Sequence, residues 1–108
     1  MALHHPAPGE IVNLGPLGSR LRNATSSALV KTEQFEAIRL VVPAGGHVPP
    51  HRVTGHVTLH CLEGRVDVDM PDGKRSMSAG DWLYLEKGDE HAVHGLDDAS
   101  LLMTVYFV

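Results

Sequence analysis

Turn chemistry limits this chain more than any other feature. Eleven glycines and seven prolines fall among its 108 residues. They cluster as Pro6-Ala7-Pro8-Gly9, Gly15-Pro16-Leu17-Gly18, Pro43-Ala44-Gly45-Gly46, Pro49-Pro50, Pro71-Asp72-Gly73-Lys74, Ala79-Gly80-Asp81 and Lys87-Gly88-Asp89. Proline fixes one backbone angle and donates no hydrogen bond, while glycine reaches the left-handed angles that tight turns need. Punctuation this dense leaves no room for long helices. Only residues 24–37 offer enough length, and their apolar positions make a poor 3.6-residue stripe. Two extended pieces, 28–32 and 35–42, are the better reading.

The second half alternates. Arg65-Val66-Asp67-Val68-Asp69-Met70 runs polar then apolar, as a strand with one buried face does. Pro71-Asp72-Gly73-Lys74 is a turn, and 75–78 is the return strand. Further strands are expected at 82–85 and 92–96. The closing run Leu101-Leu102-Met103-Thr104-Val105-Tyr106-Phe107-Val108 reads as a strand covered on both faces. Eight to ten short strands between turns mean an all-β sandwich or barrel. Residues 1–10 read as a loose arm, with His4 and His5 in it, and 11–108 as one domain.

Composition excludes several classes of function. The net charge is −4 with histidines neutral, and no basic run points to nucleic acid or an anionic membrane. No apolar run approaches the ~20 residues needed to span a bilayer. The first residues lack the basic start and apolar stretch of a signal peptide. Cys61 is the single cysteine, so no internal disulfide can form, which fits a reducing, cytoplasmic setting. In the run Leu59-His60-Cys61-Leu62 it reads as a small buried hydrophobe. A chain this short buries roughly 60–70% of its unfolded surface, so pairing two copies into a homodimer is a natural expectation.

Eight histidines stand out, and five of them (His47, His51, His56, His60 and His91) fall in extended segments. If residues 52–55 form a hairpin loop, His51 lies opposite His56 and His47 opposite His60. Cross-strand partners sit ~4.5–5.5 Å apart at Cβ and share a face. Residues four apart on a strand are ~13 Å apart, so His56 and His60 would not share one ion. His51 and His56 could, with a third imidazole from His91, just after the turn Gly88-Asp89-Glu90. Imidazole suits zinc, iron, nickel and similar divalent ions. His94 has the opposite parity to His91 and is expected to point outward. Trp82 and Tyr84 share a parity and would line the pocket or a dimer contact, with core packing as the default. Asp67 and Asp69 read as a solvated pair. Clustered imidazoles would also make the barrel sensitive to acid, since they repel once protonated.

Two segments carry a resemblance. Gly45-Gly46-His47-Val48-Pro49-Pro50-His51 through Leu62-Glu63-Gly64 resembles the first motif of the cupin superfamily: Gly, five residues, His-x-His, three or four residues, Glu, six residues, Gly. The segment from Gly80 through Glu86-Lys87-Gly88-Asp89-Glu90-His91 resembles the second: Gly, five residues, Pro-x-Gly, two residues, His, three residues, Asn. The resemblance runs from about Phe35 to the end of the chain. It implies a double-stranded β-helix, or jelly-roll, barrel of the small bacterial RmlC-like type, usually dimeric, with a metal or ligand pocket near one mouth. Of the four usual ligand positions it keeps His51 and His91. The second histidine of the first motif is Val53, its glutamate is Val57, the proline of the second motif is Glu86, and its asparagine is Gly95. A related branch of small bacterial cupins aligns His56 with the glutamate and His60 with a glutamine. A shift of one residue would turn that face inward.

The expected function is therefore that of a small cupin holding a divalent metal (iron, manganese, nickel or zinc) through His51, His56, His60 and His91. It would act on a small organic molecule in a dioxygenase- or isomerase-like way. The alternative is a non-catalytic module that binds or senses a small molecule through a degenerate metal site. Fold analogy does not choose between them.

Overall fold

The structure, a computed structural model, describes residues 5–51 and 54–107, with the backbone alone at His51. A short 3-10 helix, Gly18–Asn23, precedes β1 (Ser27–Lys31), β2 (Phe35–Val42), β3 (His47–His51), β4 (His56–Glu63), β5 (Arg65–Met70), β6 (Gly73–Ser78), β7 (Trp82–Leu85), β8 (His91–Gly95) and β9 (Ala99–Tyr106). The strands form two antiparallel sheets, ordered β1-β2-β9-β4-β7 and β3-β8-β5-β6. This is a jelly-roll barrel, as the turn spacing and the two motifs predict. The expected strands are present, each within two residues of its predicted bounds.

The core lies between the sheets. Val57, Leu59 and Cys61 of β4, with Leu101, Met103 and Val105 of β9 beside them in the same sheet, pack with Val66 and Val68 of β5 and Val93 of β8 in the other. Alternation drives this, because every second residue of a strand turns to one face. Burying these side chains contributes about 1.5–3 kcal/mol each before entropy is counted. Cys61 is fully buried, its Sγ 3.5 Å from the carbonyls of Glu63 and Gly64. Burial, chiefly, pushes its thiol pKa up, as do the charges of Asp81 and Glu63, against a lowering hydrogen bond at Glu63. The packing role expected of Cys61 holds.

The hairpin expected between β3 and β4 does not form. β3 pairs with β8, with His47 opposite His94, Val48 opposite Val93 and His51 opposite His91. β4 lies in the other sheet, with His56 opposite Tyr106 and His60 opposite both Leu102 and Trp82. The physical reason is legible in His47-Val48-Pro49-Pro50-His51. Two prolines donate no ladder hydrogen bonds, so this segment suits a sheet edge with an irregular register. β3 is such an edge, and its register shifts between Val48 and His51. The chain then changes sheet, as barrel corners do. Val53 lies outside the described residues.

Candidate functional site

Strand parity decides what each histidine can do. On β8, His91 shares its face with the core residue Val93 and is itself 1% exposed. Its Nδ1 lies 3.4 Å from the Asp89 carbonyl. His91 is thus an interior imidazole, as the second motif implies. On β4, Val57, Leu59 and Cys61 are buried while His56, Thr58 and His60 are half-buried on the opposite face. His56 and His60 therefore stand on the outside of the five-stranded sheet, which corrects the expectation that they face the interior. His56 Nδ1 meets the Tyr84 hydroxyl at 3.0 Å there. The inward position is Val57, the place seven residues before Gly64 where the motif has glutamate. The spacing of the motif, rather than the shifted alignment, gives the right face.

Two further motif positions have structural explanations. The N–H of Glu86 donates to the Asp89 carboxylate at 3.1 Å and its carbonyl accepts from the Asp89 N–H at 3.1 Å. The proline of the motif would lose the first of these bonds. At Gly95, a Cβ would lie 2.2 Å from the Pro43 carbonyl oxygen. Asparagine cannot stand there without moving the 43–46 turn, which exchanges backbone hydrogen bonds with Gly95 at 2.9 and 3.0 Å.

A cavity of about 470 Å³ opens where β3 ends and β8 begins. Its polar lining is three imidazoles (His47, His91, His94) and two carboxylates (Asp69, Glu90), with Pro50, Met70, Pro71 and Ala92 as the apolar part. His94 points outward, as its parity predicts, and its Nε2 lies 2.7 Å from the Asp69 carboxylate. A nitrogen facing a carboxylate at this distance carries its proton, which leaves Nδ1 as the other hydrogen-bonding position. The His47 ring stacks on that of His94 with centroids 5.7 Å apart and planes 22° apart. No local sequence pattern signals the Asp69–His94 pair, which follows from β5–β8 pairing. Asp67, the other member of that polar face, accepts from the Ser76 hydroxyl at 2.6 Å.

The donor set does not fit the metal implied by the family resemblance. Val57 offers no donor where the motif has glutamate, and by sequence the motif's second histidine is a valine, Val53. Among the described residues, no three histidine, cysteine, aspartate or glutamate side chains converge to hold an ion. His56 and His60 lie on the far side of a sheet from His91.

A second polar cluster went unread in the sequence. Arg39 Nη2 donates to Glu63 Oε2 at 3.3 Å, to Ser100 Oγ at 3.2 Å and to the Gly15 carbonyl at 2.8 Å. Ser100 donates to Glu63 at 2.5 Å, and the N–H groups of Leu17 and Gly18 donate to the same carboxylate at 3.0 and 3.1 Å. A bulge on β4 makes this possible. Cys61 pairs with Leu101 but Glu63 with Ser100, so two residues on β4 match one on β9. Glu63 is thereby re-aimed to the outer face. Burial alone would raise its pKa. The hydrogen bonds from Leu17, Ser100 and Gly18, with the Arg39 charge, outweigh burial and hold the carboxyl below its ordinary value.

Comparison with known proteins agrees with this architecture. The family model for the cupin domain matches residues 38–107. The chain belongs to the cupin family. No curated protein matches it. Among solved structures, it is similar to a cupin superfamily protein from Desulfitobacterium hafniense, at 19% identity and TM-score 0.74, over 77% of this chain and 76% of that one. It is also similar to a conserved protein of unknown function from Streptococcus pyogenes, at 15% identity and TM-score 0.77, over 100% and 98% of the two chains. A third is the DMSP lyase DddQ from Ruegeria pomeroyi, at 18% identity and TM-score 0.69, over 88% of this chain and 52% of that one. At these identities the likeness shows the fold alone. Among the described residues, no helix is long and apolar enough to cross a membrane.

Proposed function

We propose that this chain, with 11–108 as its single domain, is a small-molecule-binding cupin. In this reading it takes its ligand at the β3–β8 cavity and needs no resident metal ion. One observation carries the reading: the interior presents a single described imidazole, His91, among apolar side chains, and Val57 stands where a ligating carboxylate would. Cavities of about 300–1,000 Å³ with apolar walls and a few placed polar groups are the usual form of small-molecule sites. His91 would fix one polar group of the ligand, His47 and the Asp69–His94 pair another, and Met70, Pro50 and Pro71 its apolar body.

A thermal-shift screen against small organic acids, sugars and their derivatives tests this. Stabilisation that persists with excess chelator and disappears in His91→Leu supports it. Stabilisation that needs a divalent metal speaks for the metal-dependent reading instead. Loss of one charge-assisted hydrogen bond is worth about 1.5–3 kcal/mol, so His91→Leu should weaken binding by roughly 10- to 100-fold.

We further propose a homodimer through the outer face of the five-stranded sheet. Trp82, Tyr84 and Tyr106 are 61%, 45% and 43% exposed. They lie on β7 and β9, on either side of His56, Thr58 and His60 of β4. All three are surface residues, which for Trp82 and Tyr84 corrects the default of core packing. A second copy is the fitting occupant, because an isologous contact covers the same aromatic face on both partners at once. Trp82→Glu should shift sedimentation from dimer to monomer at micromolar concentration. A wild-type chain that sediments as a monomer there would overturn the dimer.

A further inference from the structure

We propose that a second pocket, on the outer side of the five-stranded sheet, binds a small oxyanion, a carboxylate or phosphate group, between Arg20 and Arg39. The pocket has a volume of about 500 Å³ and is lined by Asn13, Gly15, Pro16, Leu17, Arg20 and Arg39. The N-terminal segment forms one wall and β2 the other. Both charged residues in the lining are cationic, in a chain whose net charge is −4.

The hydrogen bonding of Arg39 is unevenly used. Its three hydrogen bonds all leave from Nη2, which has two hydrogens for three acceptors. Its Nε is buried and has no acceptor among the described residues. The residue as a whole is only 9% exposed. A buried guanidinium with unspent donors has more capacity than its protein partners take up.

Glu63 offsets only one of the two positive charges. Its carboxylate already accepts from Leu17, Gly18, Ser100 and Arg39. No carboxylate pairs with Arg20 among the described residues, whereas the neighbouring Arg22 is held by Asp98 at 3.1 Å. Two guanidinium groups with one saturated acid leave a net positive charge at a concave site. Guanidinium binds planar or tetrahedral oxyanions through paired N–H donors. The chemistry fits a free phosphate, a phosphoryl group or a small carboxylic acid equally, so the test separates them.

The protein should be titrated with sodium phosphate and, separately, with sodium succinate, against sodium chloride at matched ionic strength. Melting temperature and amide nitrogen–proton spectra are followed. A saturating rise with either salt, with the resonances of Gly15, Leu17, Arg20 and the Arg39 side chain moving, supports the proposal. The salt that acts names the oxyanion. In Arg20→Glu, the rise should vanish while the melting temperature in chloride stays within a few degrees of wild type. No saturating rise above chloride overturns the site. So does a rise that Arg20→Glu retains, or one whose resonance changes centre on His47 and His94.

Discussion

Replacing Glu63 by alanine is expected to cost about 3–5 kcal/mol of folding stability, the range for removing one partner of a buried ion pair. The size follows from what is left behind. Arg39 keeps its charge at 9% exposure with no carboxylate facing it. The N–H groups of Leu17 and Gly18 and the Ser100 hydroxyl lose their acceptor as well. The segment carrying the 3-10 helix is then held chiefly by buried Leu21. Urea unfolding of the wild type and the variant measures the loss. A difference below about 1 kcal/mol would mean the cluster is solvated rather than buried.

Acid should reproduce part of this loss in the wild type. The folded pKa of Glu63 lies below its ordinary value. Its contribution is therefore complete above the ordinary carboxylate range and is lost as pH falls through the lowered folded pKa. Glu63→Gln removes the titrating group but keeps the shape. Its stability should be lower at neutral pH and flatter on the acid side than that of the wild type.

The second large effect belongs to Gly64, the closing glycine of the first motif. Its φ is +74°, and a Cβ would lie 2.2 Å from the Asp98 carbonyl oxygen and 2.8 Å from the Ala99 Cα. Both neighbours are backbone at the start of β9, so no side-chain rotation relieves the contact. Gly64→Ala should cost more than about 4 kcal/mol, in the range reserved for core disruption. Gly80→Ala is the control. Gly80 also has a positive φ, +94°, but nothing lies within 4 Å of its built Cβ. It pays for the left-handed backbone alone, about 1–2 kcal/mol. If the two variants unfold at the same urea concentration, the close approach at Gly64 is not what matters. Circular dichroism of both at neutral pH reads the outcome directly.

Why the strands could be read in advance and the site only in part has a physical basis. Val66, Val68 and Met70 alternate with polar residues, and alternation is a local property, so β5 was legible. The same holds for the outward aim of His94. Which strand pairs with which is not local. Residues on either side of Thr54-Gly55 are close in sequence, yet β3 and β4 lie in different sheets. That choice is made by β8 and β9, some forty residues further on. A hairpin between β3 and β4 would put His56 and His60 on the inner face, but the sheet pairing puts them outside. The two prolines of β3 were the available clue, because they mark an edge strand. The Arg39–Glu63–Ser100 cluster was invisible for the same reason. Its members come from β2, β4 and β9, and a bulge turns Glu63 outward against the alternation of its own strand. The motif spacing succeeded at Val57 and His91, since each is counted from a nearby glycine turn.

Metal content tests the central claim most directly. The protein should be prepared without a histidine tag, exposed in turn to iron, manganese, nickel and zinc, desalted, and analysed. With Val53 and Val57 in place of two of the four usual donors, the metal retained should be far below one equivalent, and the melting temperature should not rise. Retention of one equivalent that is abolished by His91→Leu or His51→Ala would contradict the account. It would return the cavity to metal chemistry.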